Sequence, residues 1–227
     1  MGDLVANIHC NNCTSEINNW VNLFAEYNGQ MGFDIDKSRL FEVLFNASLK
    51  GDTDCGGVVA YPYVSGEHIT EIETGVPMLS HAENSNFSLS NVMRAQLYSS
   101  IATLKIGLEN FVTKENIKVN KVKAHGGLFI NEGVCQNYLA AALNAPVSVA
   151  KTAGEGGPFG MAVLANYLLQ GKTDLVKYLN QEVFCDETEI TVSPDQNLKR
   201  GFDRYIKRFK GGLSVEKTAG KVWNENA

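Results

Sequence analysis

Between Lys118 and Leu169 the sequence twice runs through the same order: a strand-like stretch, a glycine-rich turn, a helix-like stretch. This order constrains the fold more than any other feature, because short strands alternating with helices specify an α/β domain. Lys118 to Ala124 alternates into His125-Gly126-Gly127-Leu128-Phe129, and a helix is predicted from Asn131 to Leu143. Pro146 to Lys151 reads as the next strand. It feeds Thr152-Ala153-Gly154-Glu155-Gly156-Gly157-Pro158-Phe159-Gly160 and a helix through Leu169. Glycine permits positive φ and close approach of backbone to a ligand. At a helix start it also leaves free N–H groups and the positive dipole end pointing outward, which suits a phosphate or an adenosine ring. The plainer explanation is that these glycines only permit tight helix–strand packing.

The turns match no standard nucleotide string. There is no Gly-x-x-x-x-Gly-Lys-Ser/Thr run, so a P-loop is excluded. Gly154 and Gly156 fit a dinucleotide fingerprint, but its third glycine falls at Gly160 instead of position 159. Asn131 is expected to cap the helix after the first turn, a role compatible with facing a ligand. Glu155 within the second turn would face metal, ribose or solvent.

The rest of the chain reads as follows. Leu4 to Cys10 is a short strand. A helix capped by Thr14 carries Ile17, Trp20, Val21 and Phe24 on one stripe and stops at Asn28-Gly29. A second helix follows Asp36, with Leu40, Phe41, Leu44 and Phe45 inward, and ends at Gly51. Gly56 to Tyr63 is a buried strand leading into a long loop, Val64 to Phe87, of the kind that is functional or held by contacts elsewhere. The longest helix spans about Ser88 to Thr113, with Met93, Leu97, Ile101, Leu104, Leu108 and Phe111 facing the core. The tail is helical over Thr173 to Phe184 and Pro194 to Phe209. Its last turn is basic (Lys199, Arg200, Arg204, Lys207, Arg208, Lys210), and this charge would complement the helix dipole or form a solvated face.

Composition narrows the function classes. Of 227 residues, 44% are apolar and 20% charged, an ordinary globular balance with room for one large domain or two small ones. The net charge of −5 argues against nucleic acid. No run is long and apolar enough to span a bilayer, and no leader pattern opens the chain, so a cytoplasmic location is the expectation. Five scattered cysteines (Cys10, Cys13, Cys55, Cys135, Cys185) do not make a disulfide framework. Cys10-Asn11-Asn12-Cys13 with His9 has zinc-knuckle spacing, but no second pair completes a site. Ser65, Glu67 and His68 lie close in sequence without the Gly-x-Ser-x-Gly of a nucleophile elbow.

Taken in order, these pieces resemble a known family. They are the Tyr61-Pro62-Tyr63-Val64-Ser65-Gly66-Glu67 loop, Arg94-Ala95 in the long helix, His125-Gly126-Gly127, and the Ala153 to Ala162 turn. The chain resembles the C-terminal half of the FGGY carbohydrate kinases, and His9 to Ser15 looks like the ribulokinase/xylulokinase-like branch. The resemblance implies an actin-like ATPase, ribonuclease H-like fold: a mixed sheet flanked by helices. It implies that residues 1–227 form a single C-terminal domain and that the sugar-binding domain, with its catalytic aspartate and the phosphate-gripping Gly-Thr turn, is absent. By position, Gly126 and Gly127 would line the adenosine pocket, Asn131 would contact adenine, and Gly154, Gly156 and Gly157 would buttress the nucleotide. No catalytic residue and no metal ligand is nominated. The implied partners are ATP, Mg2+ in the complete kinase, and a ketopentose-type sugar reached through the other domain. The isolated chain is then expected to be inactive, and a bare apolar cleft face would favour a homodimer. The alternative is a non-catalytic module of actin-like fold that binds a nucleotide or a partner.

Overall fold

The computed structural model describes residues 7–150, 154, 156–186 and 188–225. Their order is α1 (Ser15–Gln30), α2 (Lys37–Ser48), β1 (Val59–Tyr61), β2 (Met78–Ser80), α3 (Leu89–Glu115), β3 (Val122–Ala124), α4 (Val134–Leu143), β4 (Val147–Ala150), α5 (Gly156–Leu169), α6 (Leu175–Tyr178), β5 (Glu189–Val192) and α7 (Gln196–Glu225). The chain divides into two compact units. One draws on Met1–Lys118, Ala141–Asn144 and Asp195–Ala227, the other on Val119–Ala140 and Ala145–Pro194.

The first unit is built on α3. Its N-cap Ser88 accepts a hydrogen bond from the Asn91 amide, and every residue from Asn91 to Thr103 is buried. The first half of α3 is therefore a core helix surrounded on all sides; from Leu104 onward no residue is buried, and Leu104, Leu108 and Phe111, expected to face the core, are half-exposed. α1 buries Ile17 and Val21, while Trp20 and Phe24 lie half-buried on the same stripe. It runs two residues past Asn28 and turns away at Gly32, whose φ is +81°. α2 starts where Asp36 accepts from the Ser38 amide, and it buries Leu40, Leu44 and Phe45. Residues 7–10 have no regular structure, so the strand expected over Leu4 to Cys10 is not formed there. Residues 4–6 lie outside those described.

The segment Val64 to Phe87 is more ordered than a loop. β2 pairs antiparallel with β1, with Ala60 opposite Leu79, and Glu67 bridges Ile72. α7 is the longest helix, 30 residues against 27 in α3. It passes straight through Gly211-Gly212. One side carries Gly201, Tyr205, Phe209, Gly212, Glu216 and Gly220, at the helical spacing that makes a continuous face. Tyr205, fully buried, donates to the carbonyls of Ala60 and Ala95 and so joins α7 to β1 and α3.

The second unit is a three-stranded mixed sheet in the order β3-β4-β5. β3 and β4 are parallel, with Val122 opposite Val147, and β5 returns antiparallel to β4. α4 connects the parallel pair, as such a crossover requires. The Gln136 amide donates to Val147 O (2.9 Å) and Ile190 O (2.7 Å), tying α4 to both β4 and β5. Glu189 binds Lys121 and Lys123 across the sheet. Both lysines hold its carboxyl down at about 2.

Candidate functional site

Parallel strands end on the same side of a sheet, so the segments leaving Ala124 and Ala150 emerge together from the carboxyl ends of β3 and β4. Both glycine turns lie on these segments. In the first, Gly126 has φ +107° and ψ 169°, a region open essentially to glycine alone. A single 3-10 turn follows over Gly127–Phe129, closed by the Phe129 amide on Gly126 O at 3.0 Å. In the second turn, Thr152, Ala153 and Glu155 lie outside the described residues, and α5 begins at Gly156. The two turns meet at one point: the Ile130 side chain lies 3.5 Å from where a Cβ on Gly154 would stand. Ile130, which no sequence motif singles out, is 68% exposed and touches the second turn.

The surroundings of these glycines separate the two explanations for them. Among the described residues, a Cβ on Gly126, Gly127 or Gly157 would meet no atom within 4 Å. A Cβ on Gly154 would there meet Ile130 alone, at ordinary contact distance. Glycines kept for packing look different, as the first unit illustrates. There a Cβ on Gly51, Gly66 or Gly75 would run into backbone carbonyls of Ser90, Glu73 and Tyr63. Among the described residues nothing crowds Gly126, Gly127 or Gly157, so helix–strand packing does not account for these three.

Asn131 does not cap α4. The helix begins at Val134, and its first acceptor is Gly133 O, bonded by the Asn137 amide at 3.1 Å. Gly133, at φ +79°, makes the entry turn expected of Asn131. Asn131 instead stands half-buried on the bend next to Ile130.

The first unit has a second concave feature on the segment after β1. Glu67 is completely buried, yet its carboxylate is well supplied with donors. Oε2 accepts from the amides of Asn11 (2.8 Å) and Asn12 (3.3 Å), and Oε1 accepts from Ile69 N (3.4 Å). Asn12, also buried, donates to Ser65 O and Gly66 O and accepts from the Ser65 amide and hydroxyl. A buried carboxylate survives only when satisfied in this way. The result is a braced wall around a cavity of about 550 Å³ lined by Asn11, Ser65, Glu67, His68, Glu71 and Glu73 among others. Ser65 and His68 therefore serve this wall. Burial, then Glu67 and Cys13, push the Cys10 thiol up to about 11, so it stays protonated. Among the described residues no three His, Cys, Asp or Glu side chains come together to hold a metal ion.

The basic run is also reassigned. Because α7 continues to Glu225, these residues occupy its first half and cannot serve the dipole at its C-terminus. Arg204 and Arg208 bind Asp54, Lys199 binds Asp203, and Lys210 binds Glu109.

Residues 1–169 match the family model described as "FGGY family of carbohydrate kinases, C-terminal domain". No sequence among curated proteins matches the chain. Among solved structures, the fold is similar to that of a gluconate kinase from Lactobacillus acidophilus, with TM-score 0.62 and 17% identity over 92% of this chain and 40% of that one. It is likewise similar to a xylulose kinase from Rhodospirillum rubrum, with TM-score 0.63 and 16% identity over 88% and 37%. A third is the Plasmodium falciparum glycerol kinase solved with ADP, with TM-score 0.58 and 17% identity over 87% and 37%. The chain thus spans 40% or less of the length of these kinases. The mixed α/β architecture expected from the sequence is the one observed.

Proposed function

The chain belongs to the FGGY family of carbohydrate kinases, and on that premise we propose that its paired glycine turns receive the adenosine end of ATP. Gly126, Gly127 and Asn131 contribute from the first turn, and Gly154, Gly156 and Gly157 from the second. The observation that carries this reading is the open space at Gly127 and Gly157, together with the convergence of both turns at the carboxyl ends of parallel strands. Ligands of α/β sheets bind at such ends, and a bare glycine lets backbone approach a base or ribose where a side chain would block it.

The parent reaction is transfer of the γ-phosphoryl group of ATP to a hydroxyl of a ketopentose-type sugar. Phosphoryl transfer depends on positioning and on neutralising charge more than on covalent help from the protein. The glycine turns supply positioning at one end of the nucleotide. Mg2+ has no ligand set among the described residues and would arrive with the nucleotide phosphates. The 227 residues by themselves would bind nucleotide without turning over sugar, and a coupled assay for sugar-dependent ADP release measures this.

Titration with a fluorescent ATP analogue tests the reading. Saturable binding is expected, reduced at least tenfold by Gly127→Val and by Gly157→Val. At both positions an added Cβ meets no atom of the described residues within 4 Å, so each variant should keep its circular dichroism spectrum and unfolding midpoint. Unchanged binding in both variants, or no binding to folded wild-type protein at millimolar nucleotide, would overturn it.

A further inference from the structure

Toward its C-terminus α7 grips one short segment, Glu71 to Val76, through contacts that follow one another along the helix. Glu216 Oε1 accepts the Val76 amide at 3.0 Å. Lys217 Nζ binds Glu71 at 3.0 Å. Gly220 lies against Thr74 O so closely that no Cβ could fit there. On its other side Ile72 is buried and bridges Glu67, and Gly75 lies against the carbonyls of Tyr63 and Ser65, while Glu71 is 85% exposed at its side chain.

Glu216 is the unusual member of this group. It is fully buried, and its Oε2 has no hydrogen-bond partner. No ion pair among the described residues includes it. The groups facing it from the packed elements offer no compensating charge. Tyr61 of β1 donates its hydroxyl to Phe209 O, and the Tyr63 hydroxyl is engaged with Thr103 and Thr70. On α7 itself Lys217 is held by Glu71, and Lys210 is held by Glu109 of α3, which also binds Lys105. Glu73 and Lys221 stand at the rim of a small neighbouring cavity of about 170 Å³. A buried carboxylate without a cation or a full set of donors is costly, and it lowers that cost by taking up a proton or by reaching water.

We propose that the end of α7 is a proton-controlled latch on the segment Glu71–Val76, closed when Glu216 is neutral and released when it ionises. Burial, opposed by the Val76 amide, raises this carboxyl to about 7, which sets the switch near neutral pH. The sign follows from linkage. The closed state binds the proton more tightly than the open one, so closure is favoured at low pH and lost as pH rises through the closed-state value. Release frees the Val76 amide and Thr74 O and exposes Glu216 to water. The same segment supplies Glu71, Ile72 and Glu73 to the wall of the 550 Å³ cavity, so that cavity changes shape with the latch.

Hydrogen exchange read at the Val76 amide tests this on the whole chain. After correction for intrinsic exchange rates, protection of Val76 is expected to fall about tenfold between pH 6 and pH 8, given carboxyl values near 7 closed and near 4.5 open. Amides in α2 should keep constant protection over this range. Glu216→Gln, neutral at every pH, should hold Val76 at one level, whereas Lys217→Gln should leave the pH-dependent fall in place. Equal protection at pH 6 and pH 8 in the wild-type chain would overturn the proposal, and so would a Glu216→Gln protein that keeps the fall. The wild-type series decides alone should that variant not fold.

Discussion

The Cα of Gly212 in α7 rests directly against the hydroxyl of Tyr61 in β1, with no room for a Cβ between them. This hydroxyl also donates to Phe209 O one turn earlier at 3.1 Å, and the two rings stack with centroids 4.9 Å apart. The helix and the strand are thus fixed at a spacing that only glycine allows. Gly212→Ala should cost about 1–3 kcal/mol, the usual range for overpacking a well-filled site. Gly211→Ala is the control. No atom of the described residues lies within 4 Å of a Cβ there, so it should be neutral or stabilising by up to about 1 kcal/mol through helix propensity. Urea midpoints of the two variants check the contrast, and equal midpoints would refute the packing assignment.

The same position explains what the sequence hid. A Gly-Gly pair normally marks a helix end, so local signals predict a tail helix that stops at Phe209. Contacts of Gly212 and Gly220 with Tyr61 and Thr74 outweigh the local propensity penalty. β5 escapes sequence reading for a related reason. Glu-Ile-Thr-Val is only four residues long, and two alternating apolar residues, Ile190 and Val192, are too few to mark a strand. Pairing with β4, the Ser148–Thr191 hydroxyl bond and the lysines around Glu189 hold it. Conversely, α1 and α2 are legible because their apolar spacing points to what they bury, whereas in α3 only Met93, Leu97 and Ile101 of the expected stripe are buried, along with every residue between them. The glycine turns are legible as turns. Their meeting through Ile130 is not, because it depends on which strands pair.

Asp54 anchors α7 to the start of β1. Burial would raise its carboxyl, but hydrogen bonds and charge from Arg208 and then Arg204 hold it below the ordinary value of 3.8. A carboxyl lowered in the folded state contributes stability above its unfolded value and loses it as pH falls through the folded one. Asp54→Asn should therefore cost on the order of 1 kcal/mol at pH 7, since the arginines are partly exposed and solvent screens the pair. The difference from wild type should shrink as pH falls below the ordinary value of 3.8 and through the lowered folded one. Thermal unfolding of both proteins at pH 7 and along a series below pH 3.8 measures this. A deficit that does not shrink along the series would assign the effect to packing.

Gly126 and Gly127 stand in equally open space but differ in backbone, and this difference separates folding from binding. Gly126, at φ +107°, lies where an L side chain is strained; Gly127 opens a 3-10 turn that any residue can adopt. Gly126→Ala should cost about 1–2 kcal/mol of stability from backbone strain alone. Gly127→Ala should be neutral or slightly stabilising, because alanine restricts the unfolded chain. Nucleotide affinity should follow another order. If both glycines let backbone approach the adenosine, both variants lose affinity although only one loses stability. Melting curves recorded with and without ATP separate the two effects. A Gly127→Ala protein with wild-type stability and an undiminished ATP-induced shift would remove Gly127 from the site.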